Sequence, residues 1–195
     1  PWIINHGAAE YAKIGTPKST GTKMWSVSGD VNRPGVYEVE NGMPFPDFLE
    51  KVCGGMKGGR RLKALIPGGS SAPIMTSEEA MSCTLDYESI ASKGSMLGSG
   101  GMIVLDESRD LVQVLKNLAE FYREESCGQC TPCREGTGWL EKILHSFTER
   151  QARREDLQLL KTTSQNMLGR TICVLADSIA MPVSVSYTHL TLPTN

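Results

Sequence analysis

Four cysteines constrain the fold of this chain more than any other feature of its sequence. Cys127, Cys130 and Cys133 stand three residues apart in one short segment, and Cys173 follows 40 residues after Cys133. Three thiolates in one tight loop suit three corners of a cubane iron-sulfur cluster, and a distant fourth thiolate can close the last corner. These four residues are therefore the candidate metal ligands, provided that the fold returns Cys173 to the loop.

Helical periodicity supplies a route for that return. From Ser108 onward, apolar residues recur at helical spacing in three stripes, and a charged connection, 149–155, separates the last two. Because two of the stripes lie between Cys133 and Cys173, an antiparallel helical pair would bring the fourth thiol back. We therefore predict that residues 107–183 form a small helical bundle carrying a [4Fe-4S] cluster. The stripes are Leu111, Leu115, Leu118, Tyr122; Leu140, Ile143, Leu144, Phe147; and Leu157, Leu160, Met167, Leu168.

Residues around the cysteines suit an anionic cluster. Gly128, Gly136 and Gly138 would let the backbone approach inorganic sulfides where a side chain would clash. Arg134 and the positive end of the helix after Cys133 would offset the negative charge of the cluster. Both effects are expected to raise its reduction potential.

The residues alone also permit other uses of the thiols. Structural zinc is the main alternative, although four-cysteine zinc sites usually pair two C-x2-4-C knuckles. The chain would then be an interaction module without redox activity. A redox dithiol and a disulfide-stapled binding domain are further alternatives. Cys53 and Cys83 have no cysteine or histidine at ligand spacing, so we interpret them as small, semi-buried side chains.

The first half of the chain is predicted to combine strands with one helix. Met24–Val31 and Gly35–Val39 are predicted strands on either side of a turn, and an amphipathic helix follows over 45–52. Two more strands are predicted at Leu62–Ile66 and Gly101–Asp106. The order ββαβ followed by β, with helices after it, predicts an α+β fold with one domain over 24–106.

Both ends are interpreted as separate from these two domains. Residues 1–23 are predicted to be a helix, Trp2–Tyr11, and a polar linker arriving from a preceding N-terminal domain. Residues 184–195 form a polar, β-branched run without a helical period, and they resemble vector or adaptor read-through sequence. We expect a non-native tail there, with a C-terminal strand as the alternative.

Net charge and the length of the apolar runs limit which classes of partner the sequence favours. Twenty Lys and Arg against 22 Asp and Glu give a net charge of −2, which does not favour nucleic acid as a partner. The longest apolar runs are far below the roughly 20 residues that a membrane span needs. No secretory signal is visible at the start of the sequence, so a cytoplasmic location is expected.

The cysteine segments resemble a known family. Glu125–Gly136, with Gly169–Cys173 and Ala176-Asp177, are similar to the NADH-binding flavoprotein subunit of respiratory complex I and to the diaphorase subunits of NAD(P)-linked hydrogenases and formate dehydrogenases. Val27–Glu38 also resembles the start of that family's β-grasp (SLBB) domain. The resemblance extends from about residue 1 to 183.

This resemblance implies a role in electron transfer. In the family, NADH reduces a bound FMN, and electrons then pass singly to a [4Fe-4S] cluster and on to iron-sulfur partner subunits. Cys127, Cys130, Cys133 and Cys173 match the four cluster ligands. FMN and NAD(P)H are expected to bind an N-terminal domain that precedes this chain, so the fragment alone is expected to be inactive. The resemblance also implies a cytoplasmic enzyme complex peripheral to the membrane. Quinone, hydrogen and formate chemistry stay open, as do NAD and NADP.

Overall fold

The computed structural model describes residues 1–191. It contains two compact units, residues 1–107 and the chain from Ser108 onward. The first combines a five-stranded sheet with short helices, and the second is helical. The predicted α+β fold class is confirmed.

The sheet of the first unit is mixed. Its strands are β1 (Thr22–Gly29), β2 (Gly35–Glu40), β3 (Leu62–Ile66), β4 (Met75–Thr76) and β5 (Gly101–Asp106), in the spatial order β2-β1-β5-β3-β4. The neighbouring strands β1 and β5 are parallel, with Val27 opposite Met102, while the other pairs are antiparallel. The predicted bounds of β3 and β5 are those of the structure. The predicted hairpin is also present, with β1 starting two residues earlier than expected.

One face of this sheet covers an aromatic core. Trp25 and Val27 of β1 are buried while Met24 and Ser26 are exposed, which is the alternation of a strand with one buried face. The ring of Trp25 lies 6.3 Å from that of Phe48. Burying such rings contributes a large share of the hydrophobic stabilisation of a domain this small.

Short helices connect the strands of the first unit. The predicted helix after the hairpin is present as α3 (Phe45–Asp47), which continues as a π-helical turn, Phe48–Val52. Two helices, α4 (Ser77–Met81) and α5 (Tyr87–Ser92), were not predicted. Thr76 starts α4 with a capping box in which Glu79 is its partner, and Asp86 caps α5.

Residues 1–23 are ordered against the first unit. The predicted opening helix is divided into α1 (Trp2–His6) and α2 (Ala8–Tyr11) by Gly7, whose φ is +89°. The hydroxyl of Tyr11 accepts a hydrogen bond from the backbone N–H of Thr22 at 3.1 Å. The segment predicted as a linker is therefore tied to the start of β1.

Four long helices form the second unit. They are α6 (Leu111–Glu124), α7 (Thr131–Thr148), α8 (Arg154–Met167) and α9 (Leu175–Thr191). Each predicted apolar stripe supplies residues to the core, which includes Leu115, Leu140, Leu144, Leu160, Met167 and Ile179. Among the described residues, no helix has both the length and the apolar character needed to cross a membrane.

Residues 184–191 differ from their prediction. The sequence showed no helical period there, yet the backbone of α9 continues to Thr191. The alternative of a C-terminal strand is therefore wrong for 184–191, since a helix already under way needs only favourable propagation and not a new nucleus. Residues 192–195 lie outside the described part of the chain, and the non-native origin of 184–195 stays a prediction.

Candidate metal centre

The candidate cysteines come from two connections of the helical unit. Cys127 lies between α6 and α7, Cys130 is the N-cap of α7, and Cys133 is in its first turn. Cys173 lies between α8 and α9. Because α7 and α8 run out and back, the two connections meet at the same end of the bundle.

One contact joins these connections directly. The backbone N–H of Ile172 donates to Sγ of Cys130 at 3.4 Å, across 42 residues of sequence. Since Ile172 immediately precedes Cys173, the fold returns the fourth candidate ligand to the loop, as its spacing predicts. An N–H donor aimed at a cysteine sulfur is also the kind of contact that stabilises a metal-bound thiolate.

The four thiols are free and differ in exposure. Cys133 is buried, Cys130 is half-buried, and Cys127 and Cys173 are exposed. Within the described residues, no three Cys, His, Asp or Glu side chains are grouped closely enough to hold a metal ion. The two segments that carry the candidate ligands nevertheless meet, through Cys130 and the backbone beside Cys173.

A hydrogen-bond network organises the first connection. Oγ of Ser126 lies 3.2 Å from Sγ of Cys133, and the N–H of Gly128 donates to the same Oγ at 3.3 Å. Nη1 of Arg134 donates to the carbonyl oxygen of Gly128 at 2.7 Å. Gly128 adopts a φ of +77°, which lets the loop turn back on itself. The contact of Ser126 was missed at the sequence level, although a serine two residues before a glycine is a typical turn signal.

Arg134 contacts both the cysteine loop and a neighbouring carboxylate. Its Nε donates to Oε1 of Glu135 at 2.9 Å, so this carboxylate offsets part of its positive charge. Its contact with Gly128 also braces the cysteine loop, and its expected effect on the charge of a cluster stays a prediction. The positive end of α7 remains available to the thiols, since the first turn of this helix contains no acidic residue.

Gly136 has a packing role that was not expected. A Cβ atom at Gly136 would lie 2.6 Å from Sδ of Met167, so this glycine makes room for helix α8. A Cβ atom at Gly138 would meet no protein atom within 4 Å. Of the three glycines, only Gly128 lies in the cysteine loop itself, and their close approach to sulfides stays a prediction.

The second connection is held at both sides of Cys173. The N–H of Gly169 donates to Oδ1 of Asp177 at 2.7 Å, and the hydroxyl of Thr171 donates to the carbonyl of Cys173 at 2.7 Å. Asp177 lies in the first turn of α9, where a carboxylate is favoured by the helix dipole. Ile172 and Val174 leave 87% and 73% of their surfaces exposed, which gives Cys173 an apolar rim.

Cys53 and Cys83 lie in the core of the first unit. They expose 1% and 2% of their surfaces, and burial raises the pKa of both thiols to about 11. Arg33 partly counteracts the effect at Cys53, and Lys93 does so at Cys83. Both side chains are thus more deeply buried than the semi-buried positions that we predicted.

Comparison with known proteins finds a family match in each unit. Residues 113–191 match the family described as "NADH-ubiquinone oxidoreductase-F iron-sulfur binding region", and residues 24–75 match the SLBB domain. The segment with the four candidate cysteines is thus similar to an iron-sulfur binding region. The match to this iron-sulfur binding region includes 184–191, the first part of the predicted tail. The family resemblance found in the sequence is confirmed.

Curated relatives extend this similarity over most of the chain. The F subunit of the NADH-quinone oxidoreductase of Rickettsia bellii (strain OSU 85-389) is 41% identical over 190 residues, which are 97% of this chain and 46% of that protein. An F subunit of the same enzyme in Rhizobium meliloti (strain 1021) is 40% identical over 97% of this chain and 44% of that protein. The chain with its SLBB domain and iron-sulfur binding region therefore spans about half the length of these relatives.

A solved structure agrees in fold. The crystal structure of an NAD+-reducing [NiFe]-hydrogenase in the H2-reduced state matches with a TM-score of 0.84 and 32% identity. The match covers 97% of this chain and 31% of the hydrogenase chain. Both kinds of relative are oxidoreductase subunits, and they support the predicted iron-sulfur, NAD-linked class.

Proposed function

We propose that the helical unit binds one [4Fe-4S] cluster through Cys127, Cys130, Cys133 and Cys173. The hydrogen bond from the N–H of Ile172 to Sγ of Cys130 carries this proposal, because it places the residue next to Cys173 against the cysteine loop. A bound [4Fe-4S] cluster supplies a one-electron carrier.

The donor set fits this group better than it fits zinc. Three thiols lie within one turn-and-helix segment, and the fourth comes from a separate connection, whereas zinc knuckles come in pairs. The positive end of α7 and the N–H of Ile172 both stabilise negative charge on sulfur. Neither of these two groups makes or breaks a bond in a substrate.

The chain's residues would hold, orient and partly shield the site. Arg134 and Gly128 fix the loop, while Asp177 and Thr171 fix the connection that carries Cys173. Cys133 is withdrawn from water, whereas Cys127 and Cys173 face solvent. Such an arrangement leaves one side of the site accessible for electron exchange with another protein.

For the parent protein we infer an NAD(P)H-dependent oxidoreductase subunit. The relatives are named as NADH-quinone oxidoreductase subunits and an NAD+-reducing hydrogenase. Sites for FMN and NAD(P)H would lie in the half of those relatives that this chain does not match. Other iron-sulfur subunits of a cytoplasmic complex, peripheral to the membrane, would receive the electrons.

Metal analysis of the 195-residue chain tests the cluster assignment. After anaerobic reconstitution, we expect about four irons and four sulfides per chain and a reducible cubane EPR signal. Cys173→Ala should lower the iron content by more than half. Cys53→Ala is the matched control, because it removes a buried thiol of the first unit and should leave the iron content unchanged.

Two outcomes would contradict the assignment. Stoichiometric zinc without iron would indicate the structural module instead. Equal iron contents in the Cys173→Ala and Cys53→Ala variants would show that Cys173 is not a ligand.

A further inference from the structure

We propose that Ser126 is a positioning residue that raises the reduction potential of the bound cluster by donating its hydroxyl hydrogen to Sγ of Cys133. This inference rests on the proposed function, because it concerns one of the four proposed ligands. It assigns an electronic role to a side chain that is not itself a ligand.

The geometry defines the direction of this hydrogen bond. Oγ of Ser126 and Sγ of Cys133 are 3.2 Å apart, and in the free thiol either atom can be the donor. A metal-bound cysteine is a thiolate without a hydrogen. Ser126 is then the donor and Cys133 the acceptor.

A second hydrogen bond orients the hydroxyl. The N–H of Gly128 donates to Oγ of Ser126 at 3.3 Å and so occupies one of its lone pairs. The peptide of Gly128 is itself fixed, because Arg134 donates to its carbonyl oxygen at 2.7 Å. The hydroxyl hydrogen is thus left to point at the sulfur.

Burial increases the effect of the contact. Cys133 exposes 7% of its surface, so water competes little for its sulfur, and a hydrogen bond in such surroundings is electrostatically stronger than in water. Reduction adds an electron to the cluster and increases the negative charge on its thiolates. A donor therefore stabilises the reduced state more than the oxidised state, which raises the potential.

Redox titration of the reconstituted 195-residue chain tests the proposal. Ser126→Ala should keep four irons while the ratio of reduced to oxidised cluster at a fixed potential falls about tenfold, which is about 59 mV for a one-electron couple. Ser126→Thr keeps the hydroxyl and should restore the potential. Ser146→Ala is the matched control, because the Ser146 hydroxyl bonds to the carbonyl of Ile143 in the same helix, α7.

A spectroscopic readout separates this role from a structural one. The EPR-active cluster should show hyperfine coupling to an exchangeable proton that Ser126→Ala lacks and Ser126→Thr retains. A merely structural role of Ser126 would leave this coupling and the potential unchanged.

Each outcome decides the question. An unchanged or higher potential in Ser126→Ala with a full cluster would overturn the role of Ser126 and leave the cluster assignment standing. Absence of iron from the unsubstituted chain would overturn the proposed function itself. If Ser126→Ala loses the cluster, the exchangeable-proton coupling in the unsubstituted chain and in Ser126→Thr decides the question: its presence supports the proposal, and its absence overturns it. If both variants lose the cluster, the same coupling in the unsubstituted chain decides in the same way.

Discussion

The cysteines of the two units lie in opposite surroundings. Cys53 and Cys83 are enclosed by the apolar core beneath the sheet, and burial raises the pKa of each to about 11. In the helical unit, Cys127 and Cys173 are exposed on loops, and the sulfur of Cys130 accepts a backbone hydrogen bond. The same residue type therefore serves as core material in one unit and as an accessible donor in the other.

Charged side chains differ between the two units in the same way as the cysteines do. Asp30 and Asp106 expose 4% and 0% of their surfaces in the sheet unit, and Asp30 accepts a hydrogen bond from the N–H of Asp106. The charged residues around the candidate centre, Arg134 and Glu135, are exposed. Burial with satisfied hydrogen bonds is the usual mark of a structural polar group, whereas accessibility is needed for exchange with a ligand or partner.

The largest difference that we expect between the two sets of cysteines is in their rates of reaction with a thiol-labelling reagent. A rise in pKa from 9.0 to about 11 lowers the thiolate fraction of Cys53 and Cys83 about a hundredfold at pH 8, and their burial slows reaction further. In the metal-free protein, iodoacetamide should therefore modify Cys127 and Cys173 at least a hundred times faster. Peptide mass spectrometry over a time course measures the rates. Comparable rates at Cys53 and Cys173 would remove the distinction between the two sets.

A smaller effect is expected from a buried carboxylate at the end of the sheet. Oδ2 of Asp106 accepts from Nη1 of Arg60 at 2.8 Å, and Asp106→Asn should lower the free energy of unfolding by about 2 kcal/mol. The half-exposed Arg60 retains access to water, which limits the loss. Urea denaturation followed by circular dichroism measures it.

Glu107 is the matched control for that substitution. Its pKa is held below the usual range by the backbone N–H and the guanidinium of Arg61, but the ion pair is at the surface. Glu107→Gln should leave the urea midpoint unchanged, because exposed ion pairs contribute little to stability. A larger loss for Glu107→Gln than for Asp106→Asn would contradict the importance of burial.

The smallest expected effect is on stability, and it distinguishes two glycines of helix α7 in the helical unit. Gly136→Ala should destabilise the protein by about 1–2 kcal/mol, because the new methyl group would collide with the buried side chain of Met167. Gly138→Ala meets no neighbouring atom and should stabilise helix α7 by about 0.5–1 kcal/mol. Thermal unfolding of the two variants should show midpoints that move in opposite directions; a common direction would contradict the close packing of α7 on α8.

Periodic segments of the fold were predictable from the sequence. The bounds of β3 and β5 followed from short apolar runs between turn residues, and the apolar stripes located the cores of α6, α7 and α8. The helices α4 and α5 were missed because five or six residues are too few to show a period. The T-x-x-E pattern at Thr76 and Glu79 was the available signal.

The meeting of the two cysteine segments was predictable from the sequence, but their surroundings were not. Cysteine spacing alone indicated the two segments that must meet. The packing of α8 against Gly136 was missed, because sequence spacing does not reveal which helix lies beside this position. The contact between Ser126 and Cys133 could not be predicted either, since it depends on the direction in which the loop turns at Gly128.

The parallel pairing of β1 and β5 has a mechanical consequence. These two strands are neighbours in the sheet although they are the first and the last of its strands along the chain. The N–H of Ser26 donates to the carbonyl oxygen of Gly100, and the N–H of Asp30 donates to that of Val104. A pulling force applied at residues 22 and 106 would run along both strands in opposite directions and load these bonds in shear, all at once. Forced unfolding is governed by the rate of crossing such a barrier. Along this pulling direction, the β1–β5 pair would therefore resist until several hydrogen bonds break together.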